Sequence, residues 1–379
     1  MKENDAAVKK RPTSKKKRSA KKQKKTFIIV LSLFILLVLG VILFIGGKLG
    51  LIGRLAFNRN NIEVNSGLIT GEGYTTWALF GVDSRDTGVL GKGTHSDTII
   101  IASVNNETKE IKMASVFRDT YLDCAKKNED YYFKANQAYF LGGPEQAVSM
   151  LNKNLDLDIK DYVTVDFKAL STAIDMLGGI DVELTEKEAE WTNLYALDTA
   201  ENTGMTYTPI EVKAGVAHLD GVTATSYARL RKFDSDYKRA ERQRTVINKC
   251  VEKAKKADII TLNNIVDKVL PMCATSFSNT QLLGLAKDLS SINIGETLGF
   301  PMEKTTRLLN GPGDCVIPIG LEDNVVALHE FLYGEKDFRT SETVKKISQK
   351  IIKDSGIKPE PKSSAASSES SSKTTKKSN

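Results

Sequence analysis

Residues 27–46 form an unbroken apolar run, FIIVLSLFILLVLGVILFIG, with no charged residue among them. About twenty such residues are what a helix needs to cross the hydrocarbon core of a bilayer. The run is longer than a signal-peptide core, and no small-x-small cleavage site follows it. It therefore reads as an uncleaved signal anchor over 26–47, with a cleaved signal peptide as the alternative. Residues 1–25 hold twelve Lys and Arg against Glu3 and Asp5, about +10, which leaves about −3 of the chain's +7 for everything after them. The basic flank keeps the N-terminus in the cytoplasm and the rest of the chain outside. A body that is not basic overall argues against a nucleic-acid-binding face.

This places a basic tail at 1–25, the span at 26–47, a membrane-proximal linker at 48–73, a folded domain at 74–355 and a Ser/Lys-rich tail at 356–379. The last has nothing to bury and reads as disordered. Cys124, Cys250, Cys273 and Cys315 all fall outside the span, so one or two disulfides are open, with three pairings allowed. No C-x-x-C spacing occurs, and with three histidines in the chain a zinc site is not indicated.

Periodicity predicts a buried strand at 75–82, a hairpin of 98–104 with 110–116, and strands at 162–167 and 180–184. Helices are predicted at 135–155, divided at Gly142-Gly143-Pro144, and at 167–177 and 185–197, the last capped by Thr185. Further helices are expected at 220–228, 236–257, 261–269, 279–289 and 323–332. Early strands, late helices and βα alternation between them predict an α/β (mixed α+β) domain. Its central mixed β-sheet would be covered by helices on both faces.

No Ser/His/Asp set, nucleophile elbow or Walker loop is present. What remains is acid and arginine at element ends: Asp83 and Arg85 after the first strand, Asp97 before the second, Arg118-Asp119 after the third. The densest cluster lies in 227–244, where Arg229 and Arg231 would share a side of an extended segment. Asp236 would help to open a helix carrying Arg239, Arg242 and Gln243 as surface neighbours. A solvated, salt-bridged helix start is the plain alternative. Forked arginines suit phosphates, and carboxylates suit magnesium, so the inventory points to phosphoryl-group chemistry.

Five blocks, in order, resemble the LytR-CpsA-Psr family: Gly81-Val-Asp83-Ser-Arg85, Ser96-Asp97-Thr98, Phe117-Arg118-Asp119-Thr120, Asp175-Met-Leu-Gly-Gly-Ile180-Asp181, and Tyr227-Ala-Arg229-Leu-Arg231 with Asp236-Tyr-Lys-Arg239-Ala-Glu-Arg242-Gln243. The resemblance implies transfer of an anionic glycopolymer (wall teichoic acid, capsule or related) from an undecaprenyl-pyrophosphate carrier to peptidoglycan through a phosphodiester link. It implies Asp83 and Asp97 as ligands of Mg2+, with Mn2+ as the other ion such a set takes. Arg85, Arg118, Arg229 and Arg239 would bind pyrophosphate, with Arg231, Arg242 and Gln243 behind them. Asp236 would orient the arginines. Asp119 would either pair with an arginine or help deprotonate the acceptor hydroxyl. The family's apolar tunnel for the polyprenyl chain would take Leu170, Ile174 and Leu177, unless they are plain core.

Two departures stand out. The family often has proline where this chain has Phe117, and 257–332 falls outside the blocks, as an added helical subdomain or part of a wall-facing surface. Hydrolysis of the polyprenyl pyrophosphate, a regulator and a non-catalytic wall-associated protein are the competing readings. The regulator is disfavoured because the basic run abuts the membrane span and has no helix-turn-helix pattern.

Overall fold

The computed structural model describes residues 52–82, 90–126, 129–230, 236–254, 256–278, 280–281 and 293–360. Strand β1 (Tyr74–Val82) is buried from Trp77 onward because it has a strand on either side. One neighbour is the antiparallel β2 (Ser96–Asn105), which turns back into β3 (Glu110–Val116) as the hairpin pattern predicts. The Asn105 side chain accepts from the N–H groups of Glu107 and Thr108 (3.0 and 2.9 Å), and Lys109 takes a positive φ of 57°.

After a short pair, β4 (Tyr121–Asp123) with β5 (Tyr132–Lys134), comes helix α1 (Asn136–Leu155). Gly143 (φ 65°, ψ −155°), just before Pro144, is non-helical and divides it into two helical pieces across a kink, as the sequence predicts. Strand β6 (Asp161–Asp166) returns parallel to β1. Helix α2 (Phe167–Met176) follows at once, its first turn capped by Asp166, which accepts from Ala169 N–H at 2.8 Å. Strands β7 (Ile180–Leu184) and β8 (Gly215–Leu219) pair around α3 (Glu186–Thr203), whose start is the Thr185–Glu188 capping box. Then come α4 (Gly221–Arg229), α5 (Asp236–Ala254), α6 (Ile259–Val269), β9 (Cys273–Thr275), β10 (Asn293–Phe300), the hairpin β11 (Lys304–Leu309)–β12 (Gly313–Pro318), α7 (Leu321–Tyr333) and α8 (Glu342–Ser355).

Among the described residues the central sheet runs β10-β3-β2-β1-β6-β9 and is mixed: β1–β6 and β3–β10 are parallel, the other pairs antiparallel. The 257–332 segment is thus not an added helical subdomain. It supplies both edge strands. The expected 279–289 helix lies largely outside the described residues, as do the apolar run 27–46, the basic tail and 361–379. No helix among the described residues is long and apolar enough to cross a membrane.

Side chains alternate across β1 and β2, so the sheet has two distinct faces. Ala78, Phe80, Ile99 and Ile101 join one cluster with α1, α7 and α8. Leu79, Ile100 and Val163 point the other way, toward α2, α4 and α5. The stretch read as a linker is laid against the sheet from Ile52 on. Gly53 N–H donates to Cys273 O (2.9 Å), and Arg54 Nη1 donates to Thr275 O (2.9 Å). All four cysteines are buried free thiols, so none of the three pairings forms. Burial pushes Cys124, Cys250 and Cys273 up to about 12 and Cys315 up to about 11.

Candidate functional site

Register brings the chemically interesting residues to one end of the sheet. Val82 of β1 pairs with Asp166 of β6 and Ser96 of β2, Val116 of β3 pairs with Ile99, and Phe300 of β10 pairs with Val116. Four strands therefore finish, and β2 begins, at the same edge, the usual place for a site in an open sheet. Asp97 and Arg118-Asp119 lie on it. Gly81 permits the close approach of β1 and β2 there, since a Cβ would sit 2.9 Å from that of Thr98.

Arg118 donates from Nη1 to Asp97 Oδ1. Its Nε lies 3.6 Å from Asp119 Oδ2, and the other Asp119 oxygen is 3.3 Å from Lys134 Nζ. The turn carrying these groups is clamped from three sides. Phe117 N–H donates to Phe300 O (3.0 Å), Val316 N–H to Asp119 O (2.9 Å) and Asn136 N–H to Arg118 O (3.1 Å). The first of these bonds explains what Phe117 does: proline has no N–H to give β10. Position 117 here exchanges a ring's rigidity for a bond to the edge strand. It also shows what 293–318 contributes, because two of the three clamps come from it.

Beside this edge, between the sheet and α2, α4 and α5, opens a cavity of about 870 Å³ counting its mouth. Its walls are chiefly apolar, with Leu79, Ile100, Val163, Leu170 and Val246, and the polar groups Arg229 and Gln243 also line it. Arg229 is the last residue of α4, so the expected extended segment is not formed there; a cation also suits a helix C-terminus. Its guanidinium lies over the Phe167 ring at 5.1 Å, donates to Thr199 Oγ1 at 2.7 Å and pairs with Asp198 at 2.9 Å. Asp198 is itself 59% exposed, so that pair contributes little to stability.

Arg242 differs sharply from Arg229. Only 2% exposed, it donates from Nη2 to Leu230 O (2.9 Å) and lies 3.3 Å from Glu188 Oε1, with the Tyr227 ring 5.9 Å away. It ties the exit of α4 to the capping box of α3 and does not line the cavity. Arg239 is also buried, at 7% exposure, one helical turn before Gln243. Asp236 opens α5. Asp83, Arg85 and Arg231 lie outside the described residues. Of the three residues considered for a tunnel, Leu170 lines the cavity, while Ile174 and Leu177 belong to the hydrophobic cluster behind it.

Sequence reasoning missed Lys134, and no local signal marks it. Only the pairing of β4 with β5, which sets Tyr121 opposite Lys134, brings that ammonium to Asp119. Phe167 and Thr199 were missed for the same reason.

A family model described as the LytR_cpsA_psr family matches residues 56–312. The chain belongs to the LytR-CpsA-Psr family. The match starts ahead of β1 and runs past the last motif block through β10, so the edge strands are part of the family domain. The chain is 34% identical over 189 residues to the polyisoprenyl-teichoic acid–peptidoglycan teichoic acid transferase TagU of Enterococcus faecalis, covering 49% of this chain and 54% of that one. It is 30% identical over 204 residues to TagV of Bacillus subtilis, named for the same transfer, covering 53% and 50%. The chain thus spans about half the length of these curated relatives. Among solved structures, TagT bound to LI-WTA superposes with a TM-score of 0.52 at 19% identity, covering 80% of this chain and 100% of that one, a likeness of fold.

Family membership brings in a divalent cation, and the donor set can be checked for fit. No group of three His, Cys, Asp or Glu gathers among the described residues, so an all-protein cage is not what they offer. Magnesium does not need one: it is usually held by one or two carboxylates plus substrate phosphates and water. Asp97, whose side chain is 17% exposed and bonded to Arg118 through Oδ1, fits that mode of binding.

Proposed function

We propose that this LytR-CpsA-Psr protein is a membrane-anchored phosphotransferase. It would move an anionic glycopolymer from an undecaprenyl-pyrophosphate carrier to peptidoglycan. The single observation that carries the reading is the placement of Asp97, Arg118, Asp119 and Lys134 at the edge of a sheet beside an apolar cavity lined by Arg229 and Gln243. A lipid pyrophosphate has just these two needs, an apolar slot for its chain and forked cations for its head. The transfer for which TagU is named and the binding of LI-WTA by TagT point the same way.

In this reading the polyprenyl chain enters between the sheet and α2, α4 and α5. Arg229 exchanges its exposed partner Asp198 for a phosphate oxygen, Arg118 meets the pyrophosphate at the sheet edge, and Arg85 would bind it too. Asp119 accepts the proton of a peptidoglycan hydroxyl as its oxygen bonds to the phosphorus that carries the glycopolymer. The bridging P–O bond breaks, and its electrons leave with undecaprenyl phosphate, whose new charge the arginines hold. Mg2+, or Mn2+ in its place, held by Asp97 and Asp83, would neutralise pyrophosphate charge. Gln243 lines the cavity with Arg229, Arg239 one helical turn before it on α5 would join in binding pyrophosphate, Arg231 and Asp236 flank them in sequence, and Arg242 fixes the α4 exit. The apolar run at 27–46 would anchor the chain with its N-terminus cytoplasmic and the domain outside. Nucleic acid has no place in this scheme.

Arg118→Ala should lower transfer by about 10²–10³-fold, the usual loss for one oxyanion-stabilising donor. The side chain is 27% exposed at the end of the sheet, so the fold itself should stay intact. Incubation with lipid-linked polymer, with and without peptidoglycan, reads both transfer and hydrolysis. Full transfer by the variant would remove Arg118 from the chemistry, and release of free polymer irrespective of peptidoglycan would make the protein a hydrolase.

A further inference from the structure

On the far side of the sheet edge from the cavity, α1 carries an aromatic surface that is left open to solvent. Phe140 is 38% exposed and Leu141 beside it 40% exposed. The exposed ring of His95 stacks on Phe140 with centroids 4.6 Å apart and planes inclined by 15°. The arrangement is built rather than incidental. Gly93 N–H donates to Phe140 O at 2.8 Å, which joins the 90–95 loop to the helix, and the buried Tyr139 hydroxyl donates to Leu90 O at 2.6 Å.

The stack is tethered to the proposed chemistry at both ends. His95 is two residues from Asp97, a reach of about 7 Å. Phe140 is one helical turn beyond Asn136, the residue whose N–H holds the carbonyl of Arg118. Flat apolar rings with polar groups at their margin suit the C–H face of a pyranose, whose hydroxyls stay free around its rim.

We propose that His95, Phe140 and Leu141 form the platform on which a sugar ring of the peptidoglycan acceptor rests. The proposal depends on the transfer reading above and extends it to the second substrate. Geometry separates acceptor from donor. The cavity lies under Leu79 and Ile100, whereas α1 packs on the opposite face, with Tyr139 against Phe80 at 5.0 Å. Phosphoryl transfer sets nucleophile and leaving group in line on opposite sides of phosphorus. A leaving lipid phosphate on the cavity side therefore calls for an acceptor arriving from the α1 side.

The test uses the full-length protein in detergent as wild type, Phe140→Ala and Phe140→Tyr. Phe140→Ala should raise the acceptor KM about 10-fold. The kcat and donor KM should stay within about twofold, and Phe140→Tyr should restore the acceptor KM. Binding of a soluble peptidoglycan tetrasaccharide, followed by NMR without donor, should weaken by the same factor, and this arm stands even if the chain transfers nothing. Should Phe140→Ala fail to fold, Leu141→Ser reads the same surface. Unchanged tetrasaccharide binding overturns the proposal. So does a rise in donor KM alone, which would place the donor's sugar there, or a loss of vesicle association alone, which would make the patch a membrane contact.

Discussion

On one face of the central sheet Phe80, Ile99 and Ile101 meet Tyr139 and Leu151 of α1, and these five side chains are at most 1% exposed. On the other face Leu79 and Ile100, next to them in the same strands, and Val163 of β6 are 6–7% exposed and line the cavity. The strands are equally apolar on both sides, so composition does not make the difference. It comes from what covers them: α1 with Tyr139 pressed onto the sheet on one side, and α2, α4 and α5, which bring Arg229 and Gln243 to the cavity, on the other. The filled face holds the sheet edge rigid, and the open face leaves room for a ligand. Rigid support for a polar cluster beside an unfilled slot is the division of labour that the proposed transfer requires.

That contrast can be broken by experiment. Phe80→Ala should cost about 3–5 kcal/mol in denaturant unfolding, whereas Leu79→Ala should cost only about 1–2 kcal/mol, because one side of Leu79 already lacks partner atoms. Equal costs would mean that the cavity is filled in solution. Within the open face, Arg242→Ala should cost about 2–3 kcal/mol, below the ~3–5 of a fully buried pair because the Glu188 side chain is 17% exposed. Arg229→Ala should leave stability within about 0.5 kcal/mol and weaken donor binding instead, a split readable by pairing unfolding curves with donor KM. Adding volume tests the same asymmetry in reverse. Ala147→Leu, in the filled cluster, should destabilise by about 1–3 kcal/mol, while Ala228→Leu, on the cavity wall, should be tolerated yet raise the donor KM about 10-fold.

The smallest effect concerns pH and the filled face. His329 is fully buried, bonded through Nε2 to Leu155 O at 2.9 Å, and burial lowers its pKa, with Glu335 opposing. The unfolded chain then binds this proton more readily. Stability should therefore fall as pH drops through about 6.5, and His329→Gln should flatten the slope. A slope of opposite sign would mean that the Glu335 pairing outweighs burial.

Much of the architecture was legible in advance because periodicity and caps are local. The 75–82 strand, the 98–116 hairpin, the Thr185 cap and the Asp220 start of α4 all follow from neighbours within four residues. The cysteines were not legible in this way. Spacing left three pairings open, and only packing shows all four thiols buried and free. The 257–332 segment misled because its strands, β9 with only three residues and β10 with an irregular register, carry weak signals and are held in the sheet by pairing with distant partners.

By itself, then, the sequence determined the kinds of element, the two faces of each strand and the stock of acids and arginines at element ends, since those depend on backbone geometry over a few residues. Tertiary structure alone decided which arginine meets which partner. Arg229 and Arg242 sit in one basic run, yet one lines a cavity over Phe167 and the other is sealed between Leu230 O and Glu188. It also brought Lys134 to Asp119 and the N–H of Phe117 to Phe300. Those contacts join residues far apart in the chain, and long-range contacts are set by how whole elements pack, which no local pattern encodes.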